Sequence, residues 1–150
     1  MQATAVIERR EESHSKLRAL LESRTETLSL LNELVAMRPF KPGPDVQALL
    51  QEYCESLVDY TASAHFQLYS YIEQGKERRS SVKDLAEAVY PRIAAATQHI
   101  LDFNEKYERA DDSSDLASLD NDLSQLGEIL ANRIQDEDQI IELFTQERDR

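Results

Sequence analysis

The sequence predicts an all-α fold, an antiparallel up-down-up-down four-helix bundle, on three observations. Its 150 residues hold only 3 Gly and 4 Pro, and the helix-forming residues Leu, Ala, Glu, Gln and Arg dominate over the β-branched and aromatic runs that strands require. Apolar residues recur at three- and four-residue spacing through four long segments. Breaks rich in proline, serine or aspartate separate those segments, and short connections make neighbouring helices antiparallel. A single domain spanning residues 1–150 has room for all four and for a substantial core.

The first segment carries Leu17, Leu21, Leu28, Leu31 and Val35 on one stripe. Residues 1–12 precede it and are expected as an additional short N-terminal helix or an arm. From Met37 to Pro44 the chain reads MRPFKPGP, which stops a helix because proline lacks a donor and restricts the residue before it. The second segment starts near Asp45 and carries Leu50, Tyr53, Leu57, Thr61, Ala64, Leu68 and Ile72, ending at Gly75 and the basic, serine-rich stretch from Lys76 to Ser81. Ser81 suits the N-cap of the third segment, with Asp84 three residues on to reach back. Val82, Ala86, Val89, Ile93, Ala96, Ile100, Phe103 and Tyr107 follow; Pro91 within them is expected to kink this helix or split off a short leading piece. Asp111 to Asp115, DDSSD, forms a capping cluster whose acids suit a helix N-terminus. Leu116, Leu119, Leu123, Leu126 and Leu130 then open the last segment, which resumes at Ile140, Ile141 and Phe144. Gly127 within it suggests a close helix approach.

The net charge is −12, and it is concentrated at the end: residues 111–150 hold 3 basic and 12 acidic groups. So acidic a surface repels nucleic acid and anionic lipid and attracts a basic partner. Cys54 is the single cysteine, which excludes an internal disulfide and suits a reduced core residue. The N-terminus lacks an apolar signal core, and the uncharged run from Tyr60 to Ile72 is too short and polar to cross a bilayer, so a cytoplasmic, membrane-free protein is expected.

Enzymatic and metal chemistry find little footing. A di-iron bundle needs paired Glu-x-x-His motifs on facing helices, and the chain offers one, at Glu11 and His14. The remaining histidines are His65 and His99, too few for a histidine-rich centre, so neither metal nor cofactor is expected. Cys54 and His65 stand three helical turns apart, too far for a nucleophile and its base. Gly43, Gly75 and Gly127 are scattered and form no phosphate-binding loop.

What remains are polar residues on apolar seams. Arg24 falls between Leu21 and Leu28, Arg133 and Glu137 follow Leu130, and Thr97 adjoins Ala96. Asp59, Ser63 and Phe66 share one face of the second helix, while His65 falls on the adjacent Val58–Ala62–Tyr69 face. Unpaired buried charges cost several kcal/mol. Arg24, Asp59, Arg133 and Glu137 are therefore expected either to pair across the bundle interior or to open onto a solvated groove. The segment from Leu57 to Tyr69 reads as a protein-binding surface.

That segment also carries a resemblance. Residues 53–69, YCESLVDYTASAHFQLY, closely resemble the signature (F/Y)CxSLVDYxSAGHFxxY of the Rsd/AlgQ family of bacterial regulators of sigma D. Tyr90-Pro91-Arg92-Ile93 with Thr97 and Asp102-Phe103-Asn104 add a second block. Leu126-Gly127, Leu130, Arg133 and residues 137–141, EDQII, add a third. The departures are Ala64 in place of a glycine, and Leu20-Leu21 with Arg24 where the family carries a tryptophan-containing WLxxR. The resemblance implies a non-enzymatic anti-sigma factor, a monomer forming a 1:1 complex. Its partner would be the C-terminal, −35-reading domain (region 4) of the primary sigma factor, withheld from core RNA polymerase and promoter DNA. It further implies that Asp59, Ser63, Phe66, Leu21 and Arg24 contact that partner, and that Tyr60, His65, Tyr69, Thr97, Arg133 and Glu137 support the groove or its polar interior. Truncating one side of a desolvated charge pair costs about 2–5 kcal/mol, so Asp59→Ala is the expected loss-of-binding variant.

Overall fold

The structure, a computed structural model, describes residues 2–69, 80–109 and 116–146, with side chains over 17–69, 80–109 and 116–143. Four α-helices appear among them: α1 (Gln2–Val35), α2 (Pro44–Ala64), α3 (Ser80–Tyr107) and α4 (Leu119–Gln146). There is no strand among the described residues. Directly after α2 comes a π-helical turn, His65–Tyr69. α1 packs along α2 and α3 along α4, while α2 also meets α3 and α1 meets α4.

Several local expectations change. α1 is continuous from Gln2, so residues 1–12 do not form a separate helix; apart from Met1, which is not described, they extend the first one. The tight bonds Met37 N→Leu34 O (3.0 Å) and Arg38 N→Val35 O (3.2 Å) close its end ahead of Pro39. Pro44 starts α2, where its missing N–H would have been unpaired in any case. α3 is already helical at Ser80, so Ser81 lies within the helix rather than at its cap, and it runs through Pro91 without splitting. Pro91 and Glu87 both lie on the exposed side of that helix, where water can serve the carbonyl that the proline ring leaves without a donor. Ile72, Gly75, residues 76–79 and the Asp111–Asp115 cluster lie outside the described residues, as do the side chains of Glu11, His14 and Phe144.

The core follows the helical stripes. All eight stripe positions of α3, from Val82 to Tyr107, are buried, as are Leu119, Leu123, Leu126, Leu130 and Ile140 of α4. α2 contributes Leu50, Tyr53, Cys54, Leu57 and Tyr60. In α1 the buried seam is Leu17, Leu20, Thr27 and Leu34, whereas Leu21, Leu28, Leu31 and Val35 are only half-buried. Thr27 escapes the apolar pattern because its hydroxyl bonds Ser23 O (2.9 Å) and pairs with the Ser56 hydroxyl on α2 (2.7 Å). A Cβ built on Gly127 would meet nothing within 4 Å, so that glycine marks no close helix approach.

Candidate functional site

The centre of the bundle is built on a carboxylate. Glu137 of α4 has 0% exposure and each of its oxygens is committed. Tyr60 donates its hydroxyl to Oε1 at 2.6 Å. Oε2 accepts from Tyr69 at 2.9 Å and from Arg133 Nε at 3.1 Å, one helical turn away on α4. Arg133, also buried, donates through Nη1 to Thr97 Oγ1 on α3 at 2.7 Å and lies over the Tyr60 ring, 5.5 Å from its centroid. Arg24 of α1 bonds Asp138 at 2.7 Å and stands 3.7 Å from Glu137 Oε1. α1, α2, the π turn and α3 thus all meet α4 at one pair of charges. Burial first, and the Glu137 charge second, push the Tyr60 and Tyr69 phenols far above their ordinary range, so both stay donors. For Arg133, burial works to lower the pKa, but the surrounding oxygens of Tyr60, Glu137 and Tyr69, with the Glu137 carboxylate bonded to it, outweigh burial and hold the guanidinium charged.

The π turn makes this convergence possible. Tyr60 and Tyr69 are nine residues apart, and at about 100° per residue a regular α-helix would place them on opposite sides. The wider turn at His65–Tyr69 delays the rotation and brings Tyr69 back toward the Tyr60 side. Tyr90 of α3 holds the end of this turn, donating to the Tyr69 carbonyl at 3.1 Å and packing edge-to-face on the Tyr69 ring at 5.7 Å. A further clamp joins α3 to α4, where Arg92 forks onto Asp136 at 2.9 and 3.0 Å.

Above this network, between α2 with its π turn and α3, runs a groove of about 540 Å³. Val58, Ala62, His65, Phe66 and Tyr69 form one wall, Ile93, Ala94, Leu101 and Asn104 the other, and Thr97 and Arg133 reach it from the network. Phe66 is 69% exposed, Leu101 50% and Val58 47%, and these are the exposed large hydrophobics among the described residues. All three line this groove. Exposed carboxylates accompany both helices, Glu52, Glu55 and Asp59 on α2 and Asp102, Glu105 and Glu108 at the end of α3 or just beyond. Two of them are felt inside: after burial itself, Glu108 and Glu55 push the Cys54 thiol up to about 12, so this buried cysteine is unreactive.

The sequence-derived site divides into three parts. Tyr60, Tyr69, Thr97, Arg133 and Glu137 come together in the interior, with Arg24 half-buried at its edge. Asp59 and His65 do not join them. Asp59 is exposed and makes no hydrogen bond or ion pair among the described residues, and His65 is exposed at the groove with its ring 5.0 Å from that of Phe66. The groove wall is the Val58–Ala62–His65–Tyr69 face, with Phe66 beside it, rather than the Asp59–Ser63–Phe66 face; Asp59 and half-buried Ser63 are not among its lining residues. Leu21 lies elsewhere, in a second depression along α1 with Leu17, Leu30 and Ile141. Val58, Leu101 and Asn104 were missed as site residues. The available signal was an apolar residue on each of two helices one step outside its buried stripe. Among the described residues no three His, Cys, Asp or Glu side chains converge as a metal site, and no helix is long and apolar enough to cross a membrane.

The described residues thus form a helical module whose central charges pair with one another and whose exposed large apolar side chains line one groove. Comparison with known proteins gives that module a lineage. The model of the family described as regulator of RNA polymerase sigma(70) subunit, Rsd/AlgQ, matches residues 1–145, and the chain belongs to that family. Among its relatives, the Regulator of sigma D of Yersinia enterocolitica is 33% identical over 126 residues, covering 81% of this chain and 75% of the relative. The proteins of the same name from Yersinia pseudotuberculosis and an Enterobacter species are 32% identical over 126 residues and 35% over 109, the latter covering 69% of this chain and 66% of the relative. No solved structure matches the chain.

Proposed function

We propose that the chain is a non-enzymatic anti-sigma factor that seats the C-terminal, −35-reading domain of the primary sigma factor in the groove between α2 and α3. Held there, that domain is withheld from core RNA polymerase and from promoter DNA. The observation that carries this reading is the gathering of Val58, Phe66 and Leu101, exposed and apolar, in one groove flanked by exposed carboxylates. A domain that reads DNA presents arginine and lysine to phosphate, and carboxylates can take the place of those phosphates. Membership of the Rsd/AlgQ family supports the choice of partner. The pairing of α1 with α2 and of α3 with α4 supports an antiparallel up-down-up-down bundle. In this reading the chain acts as a monomer in the cytoplasm and binds its partner 1:1.

Asp59 stands beside the groove wall, its carboxylate without a partner among the described residues and ready to pair with a basic side chain of the docked domain. On an exposed position it acts chiefly in steering. Asp59→Ala is therefore expected to slow association and flatten its salt dependence, and to cost about 2–5 kcal/mol only if docking desolvates it. The test is co-purification and calorimetric titration of the full chain with the isolated C-terminal domain of the host's primary sigma factor across a salt series. A 1:1 complex that weakens as salt rises is expected; no complex at low salt sinks the proposal.

A further inference from the structure

Asn104 is the odd member of the groove. It sits on α3 with 3% exposure, and neither its side-chain nitrogen nor its oxygen has a hydrogen-bond partner among the described residues. A buried amide left unpaired is costly, and native proteins rarely keep one without a use for it. Among the residues that line the groove with it, Val58, Ala62, Ile100 and Leu101 are apolar and offer it no partner. Leu101, half exposed, lines the same groove about one turn before Asn104 on α3.

From this we infer that Asn104 is a specificity-determining residue for the groove's occupant, reading one side-chain amide, an Asn or Gln, on an otherwise apolar and basic-flanked helix of the partner. The donor and acceptor of a carboxamide lie side by side, and the group that matches both at once is another carboxamide. An amphipathic helix laid in such a groove keeps its own backbone bonded, so the amide must come from a side chain. Displacement of Leu101 as the helix enters opens the way to Asn104. The acidic residues Glu55, Asp59, Glu105 and Glu108 call for basic flanks on that helix. A partner helix with leucine at the same place would leave Asn104 unpaired, which gives discrimination without extra contact area. The inference rests on the groove being the seat of the sigma-factor domain.

The test is a double-mutant cycle on the full chain. Asn104→Leu is combined in turn with replacement of each exposed Asn or Gln of the partner's C-terminal domain by Leu, with affinities measured by calorimetry. Asn104→Leu removes two orphaned polar atoms, so its urea midpoint should equal or exceed that of the parent chain, while its affinity for the domain should fall about tenfold. One Asn or Gln of the domain should lose that penalty when both changes are present. Asn104→Ala repeats the cycle should the leucine variant fold poorly. Binding by the parent chain with no coupled amide in the domain overturns the inference while leaving the groove's partner intact. No binding by the parent chain removes the partner and the inference together.

Discussion

Removing the Glu137 carboxylate tests the interior directly. In Glu137→Ala the Arg133 guanidinium, 1% exposed, loses its Nε partner, and the Tyr60 and Tyr69 hydroxyls lose their acceptors. Breaking a buried ion pair from one side costs about 3–5 kcal/mol, a large share of the roughly 5–15 kcal/mol that holds a domain together. With an m-value of about 2 kcal/mol per M, a loss of about 4 kcal/mol lowers the urea midpoint by about 2 M. The informative comparison is with the double variant Arg133→Met/Glu137→Leu, which removes both charges and should cost less than Glu137→Ala alone. Urea titrations followed by far-ultraviolet circular dichroism measure all of these. A midpoint shift below about 0.5 M for Glu137→Ala, or a double variant less stable than the single ones by the sum of their losses, would refute the buried pair as the organising contact.

Phe66→Ala separates binding from folding. Its side chain is 69% exposed, so stability should change by less than about 0.5 kcal/mol, while affinity for the sigma-factor domain should fall by about 2 kcal/mol or more if Phe66 anchors the contact. Gly127→Ala should stabilise the chain by about 0.5–1 kcal/mol, because it adds a helix-favouring methyl to α4 where nothing stands in its way; an unchanged or lower urea midpoint would show a neighbour that closes in. Asp122 is held below the usual carboxylate range: burial alone would raise it, but hydrogen bonds from Lys106 and Tyr107 more than reverse that. The stabilisation it provides is therefore present above the ordinary carboxylate pKa and lost as pH falls through the lowered one. Asp122→Asn should cost stability at neutral pH, with the gap to the parent chain closing in strong acid; a gap independent of pH would assign the loss to packing.

Much of the bundle was legible in the order of residues, for identifiable reasons. The α3 stripe is buried at every expected position because its sequence keeps a single helical phase, and Pro91 lies where water can serve the freed carbonyl. Arg133 and Glu137 stood out because two charges interrupt a leucine seam one turn apart, a spacing that lets them pair. The exposure of Asp59 was not legible. A carboxylate two residues after a buried leucine can face inward or outward, and only the placement of α3 decides which. Thr27 was invisible for the opposite reason, since its burial depends on Ser56 from another helix. The groove itself arises from a misfit: Val58 and Leu101 are apolar side chains for which the bundle has no interior place. The π turn left no mark in the apolar spacing, because Leu68 fits the stripe in either geometry.

That turn lets the chain absorb one change of length inside a helix. It accommodates a residue that a regular helix would not need, so a variant lacking Gln67 can close the segment into unbroken α-helix. Tyr69 would then follow Tyr60 by eight positions, about 800° at 100° per residue, and stay on the side of the carboxylate the two share. Insertions and deletions are ordinarily absorbed by loops. Here one deletion inside a helix would leave the two tyrosines coupled, whereas a second would turn Tyr69 by about 100° from where it meets that carboxylate.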